Sequence, residues 1–359
     1  MPRPIHAFID CSALQHNLAI VRQHVHQTRI MAVVKANAYG HGLLRTAQAL
    51  NTVDGFAVLE LEAAIQLRNA GFKQTILLLE GFFSAEELEA IDHYQLSTVI
   101  HNHKQLSQLI TCQKIKQPDI FLKINTGMNR LGFRPEEKDK ALSKIKQWRP
   151  NTHITLMTHF ACADDALATN QVYQQLDHFA VPDNNAAGLL QTLANSAAIL
   201  RYPKTYATWV RPGIILYGIS PLIEKTGIEL GLQPVMTLTS EIIAIQQLQP
   251  SDKVGYGNQF ITDQSMRIGV VATGYADGYP RHAPTGTPIL VNGQRTRLVG
   301  RVSMDMLTVD LSGISDAEVG SSVTLWGKGL PVEIVAQSAQ TIGYELVTAL
   351  SARVPISYI

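Results

Sequence analysis

Residues 30–42 read IMAVVKANAYGHG: an apolar run ends at one lysine, Lys35, and a polar segment with two glycines follows at once. This pattern predicts a buried strand that stops at Lys35 and opens into a loop. Burial lowers the pKa of a lysine, and its free amine can then attack a carbonyl and form a Schiff base. Because a single lysine at a strand end usually points into water, this role depends on what the rest of the sequence supplies.

Short apolar runs recur after the Lys35 strand, and amphipathic segments of helical period separate them. The runs lie at residues 55–59, 75–79, 96–100, 120–124, 154–157, 191–194 and 207–210. Together with the Lys35 strand they give eight β-then-α units over about 190 residues, which predicts a closed (β/α)8 barrel of the TIM type. An open, doubly wound sheet is the alternative, but no Gly-x-Gly-x-x-Gly motif follows the first strand.

The pattern changes near residue 225, where alternation of apolar and polar residues begins. Such runs lie at residues 235–246, 268–272, 288–291, 296–302, 307–311 and 322–326, with one helical piece at 331–342. The pair Asn292-Gly293 is typical of a type I′ hairpin turn. We therefore expect an α/β chain with a barrel domain over residues 1–225 and a mostly β C-terminal domain over residues 226–359.

Composition excludes several classes of function. The chain has a formal net charge of +1, 46% hydrophobic residues and no block of like charge, so neither nucleic acid nor an anionic membrane surface is an expected partner. No apolar stretch approaches the roughly 20 residues of a membrane span, and the start lacks the apolar core of a signal peptide. The three cysteines are scattered and show no metal-ligand spacing. We expect a cytoplasmic protein without a metal site.

In barrels of this type, functional residues lie at the carboxyl ends of the strands, and a phosphate often binds after the seventh and eighth strands. Those two loops begin here with Asn195-Ser196 and with Arg211-Pro212-Gly213-Ile214. Ser196 offers a hydroxyl, and Gly213 permits a close approach of backbone N–H groups. An Asn-Ser pair is also a common helix cap, but its place on the same rim as Lys35 favours a phosphate site.

Further motifs extend over nearly the whole chain. They are Lys35 with Tyr39, residues 123–133 (KINTGMNRLGF), 158–160 (THF) with Asp164, 195–197 (NSA), 210–213 (VRPG), 254–257 (VGYG), 274–279 (GYADGY) and 300–305 (GRVSMD). In kind and in order these motifs resemble those of alanine racemases. The resemblance implies a homodimeric enzyme that uses pyridoxal phosphate to interconvert L-alanine and D-alanine, a peptidoglycan precursor.

The resemblance also implies how the residues divide the reaction. Lys35 forms the Schiff base and acts on the D face, while Tyr256 of the other subunit acts on the opposite face. A tyrosine needs a cation-bearing neighbourhood to serve as a base near neutral pH, and His159, Arg211 and Arg130 match residues that provide one. Arg211 further matches the partner of the pyridine nitrogen. An arginine cannot give up its proton there, so that nitrogen stays unprotonated.

The remaining matched positions have narrower roles in the family. Lys123, which lies inside a buried strand, matches a lysine that many members carry as a carbamate. The others match contacts to the cofactor (Tyr39, His159, Asn195, Ser196, Arg211, Gly213, Ile214), contacts to the substrate carboxylate (Arg130, backbone N–H of Met304) and residues of the access channel (Asp164, Tyr275, Arg281, Arg301).

One position departs from the family pattern. Many members have a tyrosine just before Arg-Val-Pro that reaches the cofactor phosphate, and this chain has Ala352 there. That contact is therefore lost or is made by another group. We expect a slightly wider pocket mouth and weak activity on serine.

Three alternatives stay open at this point. One is a racemase of broader specificity with the same fold. Another is a pyridoxal-phosphate-dependent decarboxylase, which the Tyr256 motif and Arg211 disfavour because decarboxylation prefers a protonated pyridine. The third is a non-catalytic carrier of the cofactor, which the complete β domain disfavours. The sequence leaves open whether the enzyme supplies or degrades D-alanine.

Overall fold

The computed structural model describes residues 3–116, 118–179 and 188–359. Its strands are β1 (His6–Ile9), β2 (Arg29–Val33), β3 (Gly55–Val58), β4 (Thr75–Leu78), β5 (Ser97–Ile100), β6 (Ile120–Lys123), β7 (Ile154–Met157), β8 (Leu190–Asn195), β9 (Trp209–Arg211), β10 (Met236–Leu248), β11 (Lys253–Val254), β12 (Phe260–Ile261), β13 (Met266–Val271), β14 (Pro288–Val291), β15 (Gln294–Arg297), β16 (Leu307–Asp310), β17 (Ser322–Trp326) and β18 (Ile356–Tyr358). Its helical segments are α1 (Cys11–Val25), α2 (Lys35–Tyr39), α3 (Leu43–Ala49), α4 (Leu61–Asn69), α5 (Glu87–His93), α6 (His103–Thr111), α7 (Lys138–Trp148), α8 (Thr169–Phe179), α9 (Ser196–Arg201), α10 (Val332–Ser338) and α11 (Gly343–Thr348).

Strands β2 to β9 close a parallel barrel in chain order, which confirms the predicted (β/α)8 architecture. The barrel closes where β2 pairs with β9, with Arg29 opposite Trp209 and Ile30 opposite Val210. Strands β3, β5, β6 and β7 are buried along their whole length. Burial on both sides is expected of parallel strands that side chains fill from within and helices cover from outside, and it explains their continuous apolar runs.

The C-terminal part is mostly β, as predicted. Its sheet has the order β15-β14-β17-β10-β1-β18, and β13 and β16 extend it beside β10. Asn292 and Gly293 have positive φ of 48° and 76° between paired β14 and β15, as a type I′ hairpin requires. Two predicted boundaries were wrong. The strand expected at 296–302 is β15, which ends at Arg297. The helix expected at 331–342 is α10, which ends at Ser338, and α11 follows it as a second helix.

The first strand of the chain belongs to the second sheet. Ala7 of β1 pairs with Leu238 of β10 on one side and with Ile356 of β18 on the other. Residues 6–9 therefore lie in the β domain although the chain then enters the barrel, and the division at residue 225 stays a prediction. Asp10 caps α1, and its Oδ1 accepts the backbone N–H of Ser12 at 2.9 Å.

Both parts share one hydrophobic core. Val33 of the barrel, Tyr217 after it, and Val335 and Val347 of the C-terminal helices belong to the same buried cluster. This continuity fixes α11 against the carboxyl ends of the barrel strands. Within the described residues, no helix is both long enough and apolar enough to cross a membrane.

Candidate active site

A cleft of about 1090 Å³ opens at the carboxyl ends of the barrel strands. It brings together most of the predicted site residues: Lys35, Tyr39, Lys123, Arg130, His159, Asp164, Asn195, Ser196, Arg211, Gly213 and Ile214. It is not lined by the other predicted residues, which are Tyr256, Tyr275, Arg281, Arg301 and Met304. The predicted site is therefore divided into two groups within one chain.

The segment after Lys35 is a left-handed turn. Residues 36–39 have φ between 51° and 54°, a region that costs a residue other than glycine roughly 1–2 kcal/mol each. Local bonds hold the turn: the side chain of Asn37 accepts the N–H of Leu43 at 2.9 Å, and Nδ1 of His41 donates to the carbonyl of Tyr39 at 2.8 Å. Backbone strain of this kind persists only where the surroundings impose it, and here it directly follows Lys35.

Lys35 is half-buried at the mouth of the barrel. Burial lowers the pKa of its amine, and the positive charge of Arg130 lowers it further, while Glu80 and Glu60 oppose the shift. A larger fraction of the amine is therefore neutral than for a lysine in water. A neutral amine is the form that attacks carbonyl carbon and accepts protons.

Arg211 is a buried cation beneath the cleft, 3% exposed. Its guanidinium donates to Oγ1 of Thr192 at 2.6 Å, to the carbonyl of Thr158 at 2.7 Å and to that of Leu193 at 3.1 Å. Burial lowers its pKa to about 10, so it still carries its charge at neutral pH. Since a charged guanidinium only donates, a ring nitrogen facing it must act as the acceptor.

His159 stays uncharged. Arg211 also approaches its Nδ1 at 3.4 Å, which makes that nitrogen the acceptor. Burial, followed by the charges of Arg211 and Lys123, lowers the pKa of His159 well below its usual range. Its own burial and the arginine beside it therefore both oppose a positive charge on His159. In the cleft that charge comes from Arg211 and Arg130.

The predicted phosphate loops meet at one wall of the cleft. The N–H of Gly213 donates to Oγ of Ser196 at 2.8 Å, which leaves the proton of that hydroxyl free to donate to an anion. A Cβ on Gly213 would lie 2.6 Å from the hydroxyl of Tyr39, so a larger residue would have to displace that hydroxyl. Ile214 begins a 3-10 turn, and its N–H therefore has no partner within that turn. These groups suit a phosphate.

Asn195 uses its side chain as a helix cap. Its Oδ1 accepts the N–H of Ala198 at 3.0 Å, at the start of α9. It lines the cleft as well, so its place in the cofactor site stays a prediction.

Lys123 ends β6 and is 7% exposed. Burial, with the charges of Arg211 and Arg130, lowers its pKa to about 8.

The second group lies on the surface of the β domain. Tyr256 is 71% exposed and Met304 is 53% exposed. A Cβ on Gly255, next to Tyr256, would lie 3.5 Å from the backbone nitrogen of Arg301. The N–H of Tyr275 donates to the carbonyl of Ser303 at 3.1 Å, so the loop of Tyr275 crosses the loop that carries Met304. These residues form one exposed patch, which we call the Tyr256 patch (Tyr256, Tyr275, Arg301, Met304).

Sequence analysis did not single out Glu80 and Tyr344, which also line the cleft. Glu80 follows β4 by two residues, and its negative charge raises the pKa of both Lys35 and Lys123. Its position past a barrel strand was a signal that could have revealed it. Tyr344 lies in α11, far along the chain, and its sequence neighbours give no sign that it reaches the barrel.

Comparison with known proteins matches the whole chain. The family described as "Alanine racemase, N-terminal domain" matches residues 9–221, and "Alanine racemase, C-terminal domain" matches residues 235–358. The alanine racemase of Nitrosomonas eutropha is 77% identical over 359 residues, covering 99% of each chain. That of Nitrosospira multiformis is 58% identical and covers 98% of this chain and 99% of the relative.

Solved structures agree with these matches. The biosynthetic alanine racemase from Pseudomonas aeruginosa has a TM-score of 0.94 and 42% identity, with 99% of each chain covered. The alanine racemase from Bartonella henselae with covalently bound pyridoxal phosphate has a TM-score of 0.89 and 29% identity, with 100% of each chain covered.

Proposed function

The chain belongs to the alanine racemase family and interconverts L-alanine and D-alanine, and we propose that it does so with pyridoxal phosphate, using Lys35 and the partner's Tyr256 as bases on opposite faces of the substrate. The observation that carries this proposal is the separation of the two bases. Lys35 lies in the cleft, whereas Tyr256 is exposed on the other domain. A second copy of the chain, bringing its Tyr256 patch to the cleft, would complete the site.

The cleft fits the cofactor. When bound, pyridoxal phosphate supplies the electron sink that makes the α-hydrogen of an amino acid acidic enough to remove. The hydroxyls of Tyr39 and Ser196 and the N–H of Ile214 would hold its phosphate, and Arg211 would donate to its ring nitrogen. Lys35 has the amine of lowered pKa that covalent attachment requires.

The chain's own groups then move the proton. Lys35 exchanges a proton with the α-carbon on the D face, and the hydroxyl of Tyr256 does so on the other face. Both bases must be present for net inversion, because a single base returns the proton to the face from which it came. Arg130, exposed at the rim of the cleft, and the backbone N–H of Met304 would bind the substrate carboxylate.

Lys123 is proposed to carry a carbamate. Its pKa of about 8 leaves a substantial neutral fraction. That amine would add to CO2, forming an N–C bond and releasing one proton, to give an anion beside Arg130 and Arg211. An anion there would replace a buried cation that the two arginines repel, and it would orient Arg130. A ¹³C NMR spectrum under ¹³CO2 that shows no lysine carbamate signal would contradict this.

The access channel is proposed to be shared as well. Asp164 lines the cleft. The other three residues lie on the β domain, outside the cleft: Tyr275, Arg281 and Arg301. Across a dimer interface the arginines would face Asp164 of the other subunit. Opposite charges at the mouth would admit a zwitterion such as alanine without trapping it.

Subunit complementation tests the shared site. Lys35→Ala and Tyr256→Phe are each expected to abolish racemisation, but their mixed dimer contains one site with both bases intact. Equal mixing should therefore restore about one quarter of wild-type activity, since half of the dimers are mixed and each has one working site of two. Lys35→Ala mixed with Arg211→Ala is the matched control, because both lesions lie in the barrel and neither mixed site is intact.

Two outcomes separate the parts of the proposal. If mixed dimers form but stay inactive, Tyr256 does not act in the partner's site. Deuterium exchange gives a second readout: Tyr256→Phe should still exchange the α-hydrogen of D-alanine in D2O through Lys35, without forming L-alanine. Loss of both exchange and inversion would instead indicate that Tyr256 is needed to build the site.

A further inference from the structure

The short segment between α11 and β18 contacts the Tyr256 patch from within the same chain. The N–H of Ser351 donates to the carbonyl of Asp277 at 3.1 Å. A Cβ on Gly278 would lie 2.5 Å from the carbonyl of Ala349, so the two backbones pack closely at that point. Because Asp277 follows Tyr275 by two residues, the segment contacts the loop that carries one member of the patch.

Asp277 is the buried centre of an ion-pair network beside this patch. Its side chain has no exposed surface, and its Oδ1 accepts hydrogen bonds from Nη1 of Arg3 at 2.5 Å and from Nε of Arg353 at 2.7 Å. Its Oδ2 accepts the N–H of Gly274 at 2.9 Å. Two guanidinium groups and a backbone donor thus hold one carboxylate, which fixes the loop from Gly274 to Asp277.

Arg353 extends this network to the neighbouring loop. While its Nε donates to Asp277, its Nη2 donates to Oδ1 of Asp305 at 2.7 Å. Asp305 directly follows Met304, and its backbone carbonyl accepts a further hydrogen bond from Arg3. Because a guanidinium is planar and its donors have a fixed geometry, Arg353 sets the distance between the two loops.

The loop around Met304 leaves one backbone donor free. The carbonyl of Ser303 accepts the N–H of Tyr275 at 3.1 Å, and the carbonyl of Met304 accepts the N–H of Ala276 at 3.0 Å. The N–H of Ser303 donates to the carbonyl of Met306 at 2.9 Å. The N–H of Met304, by contrast, donates to no group in the described part of the chain. The bonds around this N–H therefore fix its direction and leave it available to a ligand.

We propose that Arg353 is a positioning residue for the substrate site of the partner subunit, and that it acts by holding the N–H of Met304 of its own chain in place. The inference rests on the proposed function, in which the Tyr256 patch of one chain completes the cleft of the other. Arg353 belongs to the chain that donates the patch, so its effect is expected in the other cleft. The alternative is an effect on its own cleft, since Arg353 stands five residues after Thr348, which lines that cleft at the end of α11.

Mixed dimers with a single working site separate these two possibilities. One subunit, the cleft donor, carries Tyr256→Phe and supplies Lys35. The other subunit, the patch donor, carries Lys35→Ala and supplies Tyr256 and Met304. Two affinity tags allow the mixed dimer to be purified with its cofactor bound, and Arg353→Met is placed in one subunit at a time. Methionine keeps most of the length of the side chain and removes all of its hydrogen-bond donors.

In the patch donor, Arg353→Met should raise the KM for alanine about three- to tenfold, as for the loss of one hydrogen bond. The kcat should change less than the KM, because the carboxylate is bound equally in the ground state and in the transition state. In the cleft donor the same substitution should leave both constants unchanged. A general folding defect would not produce this asymmetry, since both mixed dimers contain the same substitutions in total.

Arg297→Met in the patch donor is the matched control, because Arg297 forms an exposed ion pair with Asp310 at 3.0 Å on the same domain. It should leave both constants unchanged. Asp305→Asn in the patch donor is a milder second variant, which weakens the bond to Arg353 but keeps both arginines on the buried Asp277. It should therefore fold even if Arg353→Met does not, and it should raise the KM from that subunit only.

The proposal is wrong if Arg353→Met folds and does not raise the KM from the patch donor; if that variant does not fold, Asp305→Asn decides in the same way. A rise of equal size from both subunits, or a rise from the cleft donor alone, would also overturn it and would indicate that Arg353 acts through α11 on its own cleft. If the parent mixed dimer, with Arg353 intact, has no activity, the shared site of the proposed function is contradicted, together with this role.

Discussion

The carbonyl oxygen of Val347 lies against Gly40, only 2.2 Å from the position that a Cβ on that glycine would occupy. Gly40 also has φ of +80°, which side chains disfavour. Gly40 thus ends the left-handed turn after Lys35 and also lets α11 pack on that turn. This contact holds α11 against the segment that begins at Lys35.

Gly40→Ala should therefore destabilise the protein by about 2–5 kcal/mol, from backbone strain and from the clash with a backbone oxygen that has little freedom to move. Gly71→Ala is the matched control, because Gly71 has φ of +91° and nothing within 4 Å of its Cβ position. It should cost only about 1–2 kcal/mol. Denaturant unfolding measures both, and equal losses would show that the α11 contact is not the cause.

The barrel could be predicted because its signals are local. Each buried strand is a short apolar run, and each ends at residues that favour loops. Functional residues of such barrels lie at the carboxyl ends of the strands, and this rule predicted that Lys35, His159 and Arg211 share one cleft. The barrel and these residues of its cleft could therefore be predicted from the sequence alone.

Other features depend on contacts that local sequence does not encode. Two of the four residues in the left-handed turn are alanines, which favour right-handed helix, and only tertiary packing imposes the opposite hand. The pairing of Ala7 with Leu238 and Ile356 joins segments more than 200 residues apart. The neutral state of His159 required its burial and the direction of Arg211.

Lys123 should make the free energy of unfolding rise with pH in the alkaline range. Its pKa in the fold is about 8, against an ordinary value of 10.5. Between these values the unfolded chain binds more protons than the fold, so the free energy of unfolding rises with pH. In CO2-free buffer this rise should be smaller in Lys123→Met and unchanged in Lys144→Met, which removes an exposed lysine. Parallel profiles for wild type and Lys123→Met would refute the shift.

Asp277 should make the free energy of unfolding rise with pH in the acid range, the same sign as for Lys123 in the alkaline range. Burial raises the pKa of its carboxyl, but hydrogen bonds from Arg3 (2.5 Å), Arg353 (2.7 Å) and the N–H of Gly274 (2.9 Å) outweigh it, and the net pKa falls below 3.8. Its stabilisation is therefore complete above pH 3.8 and is lost as the pH falls below that value.

Asp277→Asn is expected to lose about 3 kcal/mol at neutral pH, because two cations lose a buried partner. The difference from wild type should narrow as the pH falls below 3.8, because the carboxyl then binds a proton more readily in the unfolded chain than in the fold. Asp277 also follows Ala276, whose N–H donates to the carbonyl of Met304 at 3.0 Å. Because the N–H of Met304 is proposed to bind the substrate carboxylate, the substitution should also raise the KM for alanine. Urea unfolding at both pH values tests the first claim, and a pH-independent difference would contradict it.

Arg211→Lys tests whether Arg211 stabilises the protein through its several hydrogen-bond donors or through its positive charge alone. The guanidinium serves Thr192, Thr158 and Leu193 at once, and an ammonium on a shorter side chain cannot reach all three acceptors. Buried acceptors without donors should cost about 2–4 kcal/mol of stability and weaken cofactor binding, although the charge is kept. Arg29→Lys is the control, because Arg29 is exposed and stacks over Trp209 at 5.4 Å, and it should cost under about 1 kcal/mol. If Arg211→Lys unfolds at the same denaturant concentration as wild type and keeps its affinity for pyridoxal phosphate, charge alone suffices and the fork has no special role.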